Sequence, residues 1–258
     1  MEFINYQLNG NVAVISLNRP EKYNSFVRSM SLSLQSALDK AKEDKNVRAI
    51  LLRAEGKAFC AGQDLGEAID PNGPGIERIV DEHYNQIILR MRTIEKPIVV
   101  AVNGVAAGAG ANIALAGDVV LSGKTSSFIQ AFSKIGLIPD SGGTFYLPRL
   151  IGFGKASALM MLADNVTGEE AEKMGMIYKA VEDEKLNEEA MNAAIKLANM
   201  PTVGIGLTKR LLNSSMTNNI EQQLREEGKV QVLAAQSYDH KEGVKAFLEK
   251  RKPVFKGE

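Results

Sequence analysis

A chain of 258 residues with 45% hydrophobic and 24% charged side chains can bury a sizeable core, as one large domain or as one domain with an appendage. Lys+Arg and Asp+Glu both number 31, so no net field recruits nucleic acid or an anionic membrane. The single cysteine, Cys60, excludes an intramolecular disulfide, and MEFINYQLNG lacks the basic-then-apolar start of a secretory signal, so the expected location is cytoplasmic.

Along the chain the periodicity switches repeatedly. In NVAVISLNRP (11–20), Ala13, Ile15 and Leu17 share one face and Val12, Val14 and Ser16 the other; Pro20 ends the run, which predicts a strand entering a loop. SMSLSLQSALDKAKEDKNV (29–47) spaces Leu34, Ala37, Leu38 and Ala41 for one helical face. VRAILLRAEG predicts a strand ending at Gly56, IERIVDEHYNQIILRMRTIEK a helix, KPIVVAVNG a strand and GANIALAGD the start of a helix, with VVLSG and SSFIQ as short strands. Residues 97–121 carry no charge before Asp118, as a membrane span would. Asn103, Gly104, Gly108, Gly110 and Asn112 interrupt that run, however, and favour a buried strand, a glycine loop and a buried helix. Strand and helix in this alternation predict an α/β domain with mostly parallel strands.

From about residue 155 the strands nearly vanish. KASALMMLAD, TGEEAEKMGM, DEKLNEEAMNAAIKLANM and NNIEQQLREEGKVQVLAAQSYDHKEGVKAFLEKR read as helices, the second opening with a Thr167-x-x-Glu170 capping box. The expected organisation is a core over 1–197 and a helical region over 198–258. In that region Val230, Leu233, Ala234, Val244, Phe247 and Leu248 lie in amphipathic patterns that one core does not fully cover, which predicts self-association.

Three stretches can carry chemistry. GKAFCAGQDL (56–65) follows a strand, and its small residues let main-chain N–H groups approach an oxygen closely, although a plain tight turn has the same composition. NGVAAGAGAN (103–112) opens a helix, so its amides and the helix dipole face an anionic or developing-negative oxygen; close helix packing is the competing explanation. FSKIGLIPDSGGTFYLPRLIG (132–152) sets Asp140 among Ile135, Leu137, Ile138 and Pro139. Such a setting partly desolvates a carboxylate, raises its pKa and improves it as a proton acceptor, while Asp before Ser-Gly-Gly is also an ordinary helix N-cap.

Together with NRPEKYNSF before them and EGVKAFLEKRKPVF after, these motifs resemble, in order and spacing, the enoyl-CoA hydratase/isomerase (crotonase) family over the whole chain. Within it, AVNGVAAGAG with AFSKIGLIPD most resembles the isomerases that act on the epoxide of phenylacetyl-CoA. The resemblance implies a crotonase-like α/β fold, with a core of repeated ββα turns over 1–197 that holds the acyl-CoA site. It makes 198–258 a helical trimerisation region, giving a homotrimer or a hexamer. Acyl-CoA is implied as substrate, without a separate cofactor, and no metal-ligand cluster is evident in the sequence. The two main-chain oxyanion donors carry over to Gln63 and Ala109, with Ala61, Gly62, Asp64, Leu65 and Gly108 beside them in the CoA-thioester site. Lys22 of NRPEK and Lys250 of FLEKR, the latter from the same or a neighbouring subunit, are placed near the nucleotide end of CoA. Phe132, Phe145 and the segment 70–90 are placed in the acyl pocket.

The chain departs from the hydratase pattern at one point. The two glutamates that hydratases of the family use fall on Asn112 and Phe132, neither of which exchanges a proton at neutral pH. Asp140 remains, and the resemblance favours it as the base that takes a proton at one carbon and returns it at another. An acyl-CoA isomerase is therefore the expected activity. A hydratase with an unrecognised second acid, a dehalogenase with Asp140 as nucleophile, and a non-catalytic CoA-binding scaffold are the alternatives. His83 and His240 lie in polar helical patterns and are expected at the surface, Cys60 is expected to pack as a small apolar residue, and Asp64 is expected to be a turn acid.

Overall fold

The computed structural model describes residues 3–258. Its strands are β1 (Ile4–Asn9), β2 (Val12–Leu17), β3 (Ala49–Ala54), β4 (Ala58–Cys60), β5 (Ile98–Val102), β6 (Val105–Ala107), β7 (Val119–Gly123), β8 (Ser127–Ile129), β9 (Asn165–Thr167) and β10 (Lys179–Val181). The helices up to the middle of the chain are α1 (Arg28–Glu43), α2 (Leu65–Ile69), α3 (Gly75–Arg78), α4 (Gln86–Thr93), α5 (Ala109–Leu115) and α6 (Gly143–Ile151). Then come α7 (Phe153–Leu162), α8 (Gly168–Lys173), α9 (Leu186–Ala198), α10 (Thr202–Ser215), α11 (Ile220–Gln236) and α12 (Tyr238–Leu248).

Successive strands alternate between two sheets. β3, β5 and β7 enter a six-stranded sheet of order β1-β2-β3-β5-β7-β10, while β4, β6 and β8 enter a four-stranded sheet of order β4-β6-β8-β9. Pairing is parallel except for the β1–β2 hairpin and the β8–β9 edge. Each pair of strands is followed by helical structure, so this is the repeated ββα turn of the crotonase-like fold. Because both faces of the larger sheet are covered, β2 is buried at every position and shows apolar residues on both sides. Ala13, Ile15 and Leu17 join the main core with Met30, Leu34, Ala37, Leu38 and Ala41 of α1. On the other face Val12 and Val14 meet α9, whose Leu186, Ala190, Ala194 and Ala198 recur every fourth residue. A fully buried Leu or Ile of this kind contributes about 1.5–3 kcal/mol.

Two expected elements differ in detail. The single helix anticipated over 76–96 is α3, a π-helical turn over Ile79–Asn85 and then α4. The π-turn changes the phase of the helix face, and it buries His83 completely, against the expectation of a surface residue. His240 is exposed as expected. The long helical pattern over 218–251 breaks at Ser237, whose side chain caps α12 by accepting from the His240 N–H. The run 97–121, uncharged up to Asp118, resolves into β5, β6, the short α5 and the start of β7, and no described helix is long and apolar enough to cross a membrane.

The C-terminal helices are anchored by polar groups rather than by a second core. Lys209 of α10 sends Nζ to Asp118 Oδ2 at 2.7 Å and to the Met91 carbonyl at 2.6 Å. Asp118 also accepts from the Ile98 N–H and from Arg92. Burial pushes the Lys209 ammonium below its usual range, and the adjacent Asp118 opposes that shift. Beyond this anchor α11 buries no residue, and Phe247 and Leu248 of α12 are 83% and 75% exposed. Apolar side chains left this open mark a face suited to a partner.

Candidate active site

The first loop of the site follows β4. Asn24, buried with a left-handed backbone, donates to the carbonyls of Glu55 and Ala58 and so ties the NRPEKYNSF loop to the end of the strand. Arg19 donates to Asp64 at 2.8 Å and to Ser25, joining that loop to AFCAGQDL. Burial alone pulls the Asp64 carboxyl upward, but the hydrogen bond and charge of Arg19 outweigh it and hold the group below its usual range. Asp64 also caps α2 by accepting from the Gly66 N–H, which makes it a charged structural clamp.

This clamp aims the Gln63 peptide. Phe26 N–H donates to the Gly62 carbonyl and Asp64 N–H donates to the Phe26 carbonyl, in a parallel bridge between Phe26 and Gln63. In that pattern the N–H of Gln63 itself points the other way, and among the described residues it meets no protein acceptor. Gly62 sits at φ +95, and a Cβ there would lie 3.1 Å from the Ala107 carbonyl oxygen and 3.8 Å from the Ala109 nitrogen. Its lack of a side chain lets the two loops meet. Ala109 is the first residue of α5, so its N–H has no intrahelical acceptor. Two free main-chain donors therefore converge from different ββα repeats.

Asp140 completes the arrangement. α6 begins at Gly143 with Gly142 as its N-cap and has no side-chain cap, so the carboxylate of Asp140 is not spent on the helix end. Its Oδ1 accepts from the Ser141 hydroxyl at 2.8 Å. Burial dominates and pushes the carboxyl up to about 6, against the opposing pull of the Ser141 hydroxyl and the main chain.

A cavity of about 540 Å³ holds these groups together. Lys22 lines it from the NRPEKYNSF loop, Ala61, Gly62, Gln63, Asp64 and Leu65 from the loop after β4, Gly108 and Ala109 from the second, and Phe132 and Asp140 from the third. Ile76, Ile79 and Val80, from the segment 70–90, form an apolar wall with Ile135 and Leu137. Two expected residues stand elsewhere. Phe145 is not part of the lining, because its ring lies against Tyr146 and under the Arg149 guanidinium, 3.8 Å from the ring centre. Lys250 lies just past the end of α12, exposed and outside the lining of this cavity within one chain.

Tyr84, within the expected segment 70–90 but not named individually by sequence reasoning, also lines the cavity. Its hydroxyl donates to Gln63 Oε1 at 2.8 Å, and Gln63 Nε2 donates to Glu67 at 2.9 Å, so the Gln63 side chain is held at both ends. Burial, reinforced by the nearby Cys60 and Asp140, raises the Tyr84 phenol well above its ordinary range and keeps it neutral. The π-turn that places it leaves no signal in hydropathy alone. Cys60 is buried and its thiol is pushed up to about 12, as expected of a packing residue. Among the described residues no group of three or more His, Cys, Asp or Glu could hold a metal ion.

Comparison with known proteins agrees with this fold. Residues 7–258 match the family described as enoyl-CoA hydratase/isomerase. The chain is 45% identical, over 100% of its length and 99% of the relative's, to the 1,2-epoxyphenylacetyl-CoA isomerase of Escherichia coli K12. It is 33% identical, over 94% of itself and 93% of the relative, to the short-chain-enoyl-CoA hydratase of Clostridium acetobutylicum. The crystal structure of the enoyl-CoA hydratase from Bacillus anthracis superimposes with a TM-score of 0.92 at 29% identity, covering 100% of both chains.

Proposed function

This chain belongs to the enoyl-CoA hydratase/isomerase family, and on that premise we propose that it shifts a double bond, or opens an epoxyphenylacetyl ring, in an acyl-CoA thioester. The thioester oxygen binds the main-chain N–H groups of Gln63 and Ala109, which hold it as it becomes an enolate. Asp140 removes the proton from the acidified carbon and, now protonated, returns it to another carbon, so that nothing is gained or lost. The observation that carries this reading is one uncapped carboxyl, shifted to about 6, in an apolar cavity with two free main-chain donors. The neutral Asn112 and Phe132 leave no second proton-transfer group at the hydratase positions, and Asp64 is held charged by Arg19. The epoxide named for the Escherichia coli relative suits the apolar wall of Ile76, Ile79, Val80, Ile135 and Leu137.

A panel of 2-enoyl, 3-enoyl and epoxyphenylacetyl thioesters tests this directly. Isomerisation of the 3-enoyl or epoxide substrate is expected to exceed water addition to the 2-enoyl substrate by at least about a hundredfold, the lower range for a positioned proton donor. Its kcat/KM should rise with pH through about 6 as Asp140 loses its proton. Dominant hydration would overturn the assignment, and CoA binding without any turnover would leave the scaffold reading.

The exposed faces of α11 and α12 support assembly into a homotrimer or a pair of trimers, in which Lys250 can approach a neighbour's CoA. Light scattering at micromolar concentration should report three or six copies, and a monomer would count against this.

A further inference from the structure

We infer that Asn112 is the positioning residue that registers Asp140 against the oxyanion donor of Ala109, a role that rests on the reading of Asp140 as the base. Asn112 is buried in α5, one helical turn after Ala109, whose N–H faces the cavity. Its Nδ2 donates to the main-chain carbonyl of Asp140 at 2.9 Å, and the same carbonyl accepts from the Gly143 N–H at 2.9 Å. Both lone pairs on that oxygen are then occupied, so the peptide that carries the carboxyl is held from two sides.

The seat around Asn112 is built for that contact. Gln130 Nε2 donates to Asn112 Oδ1 at 2.8 Å, which orients the carboxamide with its nitrogen toward Asp140. A Cβ at Gly143 would overlap Asn112 Nδ2 and come within 2.7 Å of its Cγ, so only glycine there lets the amide reach under the turn. The turn carries strain at Ser141, a non-glycine residue at φ 51, and continues through Gly142 at φ 74, where glycine is at ease. A strained turn beside a base needs an external anchor, and the carboxamide supplies it from the same helix that supplies an oxyanion N–H. Base and oxyanion site are thereby placed by one helical turn.

Asn112→Leu tests the inference, because it keeps the volume and removes both hydrogen bonds. The expected result is a fall in kcat of about tenfold or more at nearly constant KM, the signature of a misplaced catalytic group. The limb of the pH profile near 6 should also move toward the ordinary carboxylate range, as the loosened turn lets water reach Asp140. Gln130→Leu is the second variant: Gln130 makes one side-chain bond, to Asn112, and its own Oε1 is unpartnered, so its loss leaves a single buried acceptor unpaired, a smaller disturbance than the loss of Asn112 itself. It should show a smaller loss of the same kind, with the limb displaced in the same direction. If Asn112→Leu does not fold, Gln130→Leu decides alone. An unchanged kcat and pH limb, or a rise in KM alone, would overturn the inference while Asp140→Asn still abolished turnover; an active Asp140→Asn enzyme would instead overturn the reading beneath it.

Discussion

Asp140→Asn is expected to lower isomerase turnover by at least about a hundredfold while leaving acyl-CoA affinity unchanged. Asn keeps the size of the side chain and can still bond Ser141, so the substitution removes the base and little else. Stability supplies an independent sign. Burial raises the folded-state pKa of Asp140 from 3.8 to about 6, so the charged carboxylate is disfavoured in the folded protein. The stabilising contribution of the protonated form is full below the ordinary carboxylate range and is lost as pH rises through about 6. At pH 7.5 the ionised group therefore costs about 2–3 kcal/mol relative to a neutral one, because each tenfold change in a protonation equilibrium is worth about 1.4 kcal/mol. The Asn variant should melt no lower than the parent at pH 7.5, and that advantage should vanish below about pH 4. Retained turnover would refute the base, and a lower melting temperature at pH 7.5 would restore a capping role.

The parts of this site that were legible in the sequence are those set by local chemistry. β2 and α1 follow from the placement of apolar residues at Ala13, Ile15, Leu17, Leu34 and Leu38, because each pattern has one burial solution. The glycine loops and Asp140 could be singled out by local sequence, but Ile135, Leu137 and Ile138 are themselves exposed, so the burial of Asp140 comes from segments that only the tertiary fold brings to it. Tyr84 and His83 were hidden, since a π-turn within an otherwise helical pattern decides which face of 79–85 turns inward. Phe145 lies outside the cavity lining because an aromatic one residue from Tyr146 and four from Arg149 has local partners that compete with the pocket. The role of Asn112 depends on Gln130, Asp140 and Gly143, which only the tertiary fold brings together.

Gly110→Ala is expected to damage catalysis nearly as much as loss of the base, through a residue that offers the substrate no functional group. Gly110 is the second residue of α5, where it packs on the end of β4. A Cβ there would overlap the Cys60 carbonyl oxygen and lie 2.7 Å from Cys60 Cβ and Sγ. The backbone angle is not the obstacle, since Gly110 is not among the positive-φ glycines. The helix must instead back away from the strand, and the Ala109 N–H moves with it relative to Gln63. Losing one such donor costs about 10²–10³ in kcat, so a fall of about a hundredfold is expected, accompanied by an overpacking cost of about 1–3 kcal/mol in stability. Trimming Cys60 to Gly in the same background should not restore the rate, because the closest contact is with a main-chain oxygen that the substitution leaves in place. Wild-type turnover in Gly110→Ala, measured where the variant is fully folded, would mean that the β4–α5 contact does not set the spacing of the two oxyanion donors. A rate restored by Cys60→Gly would assign that spacing to the thiol side chain instead.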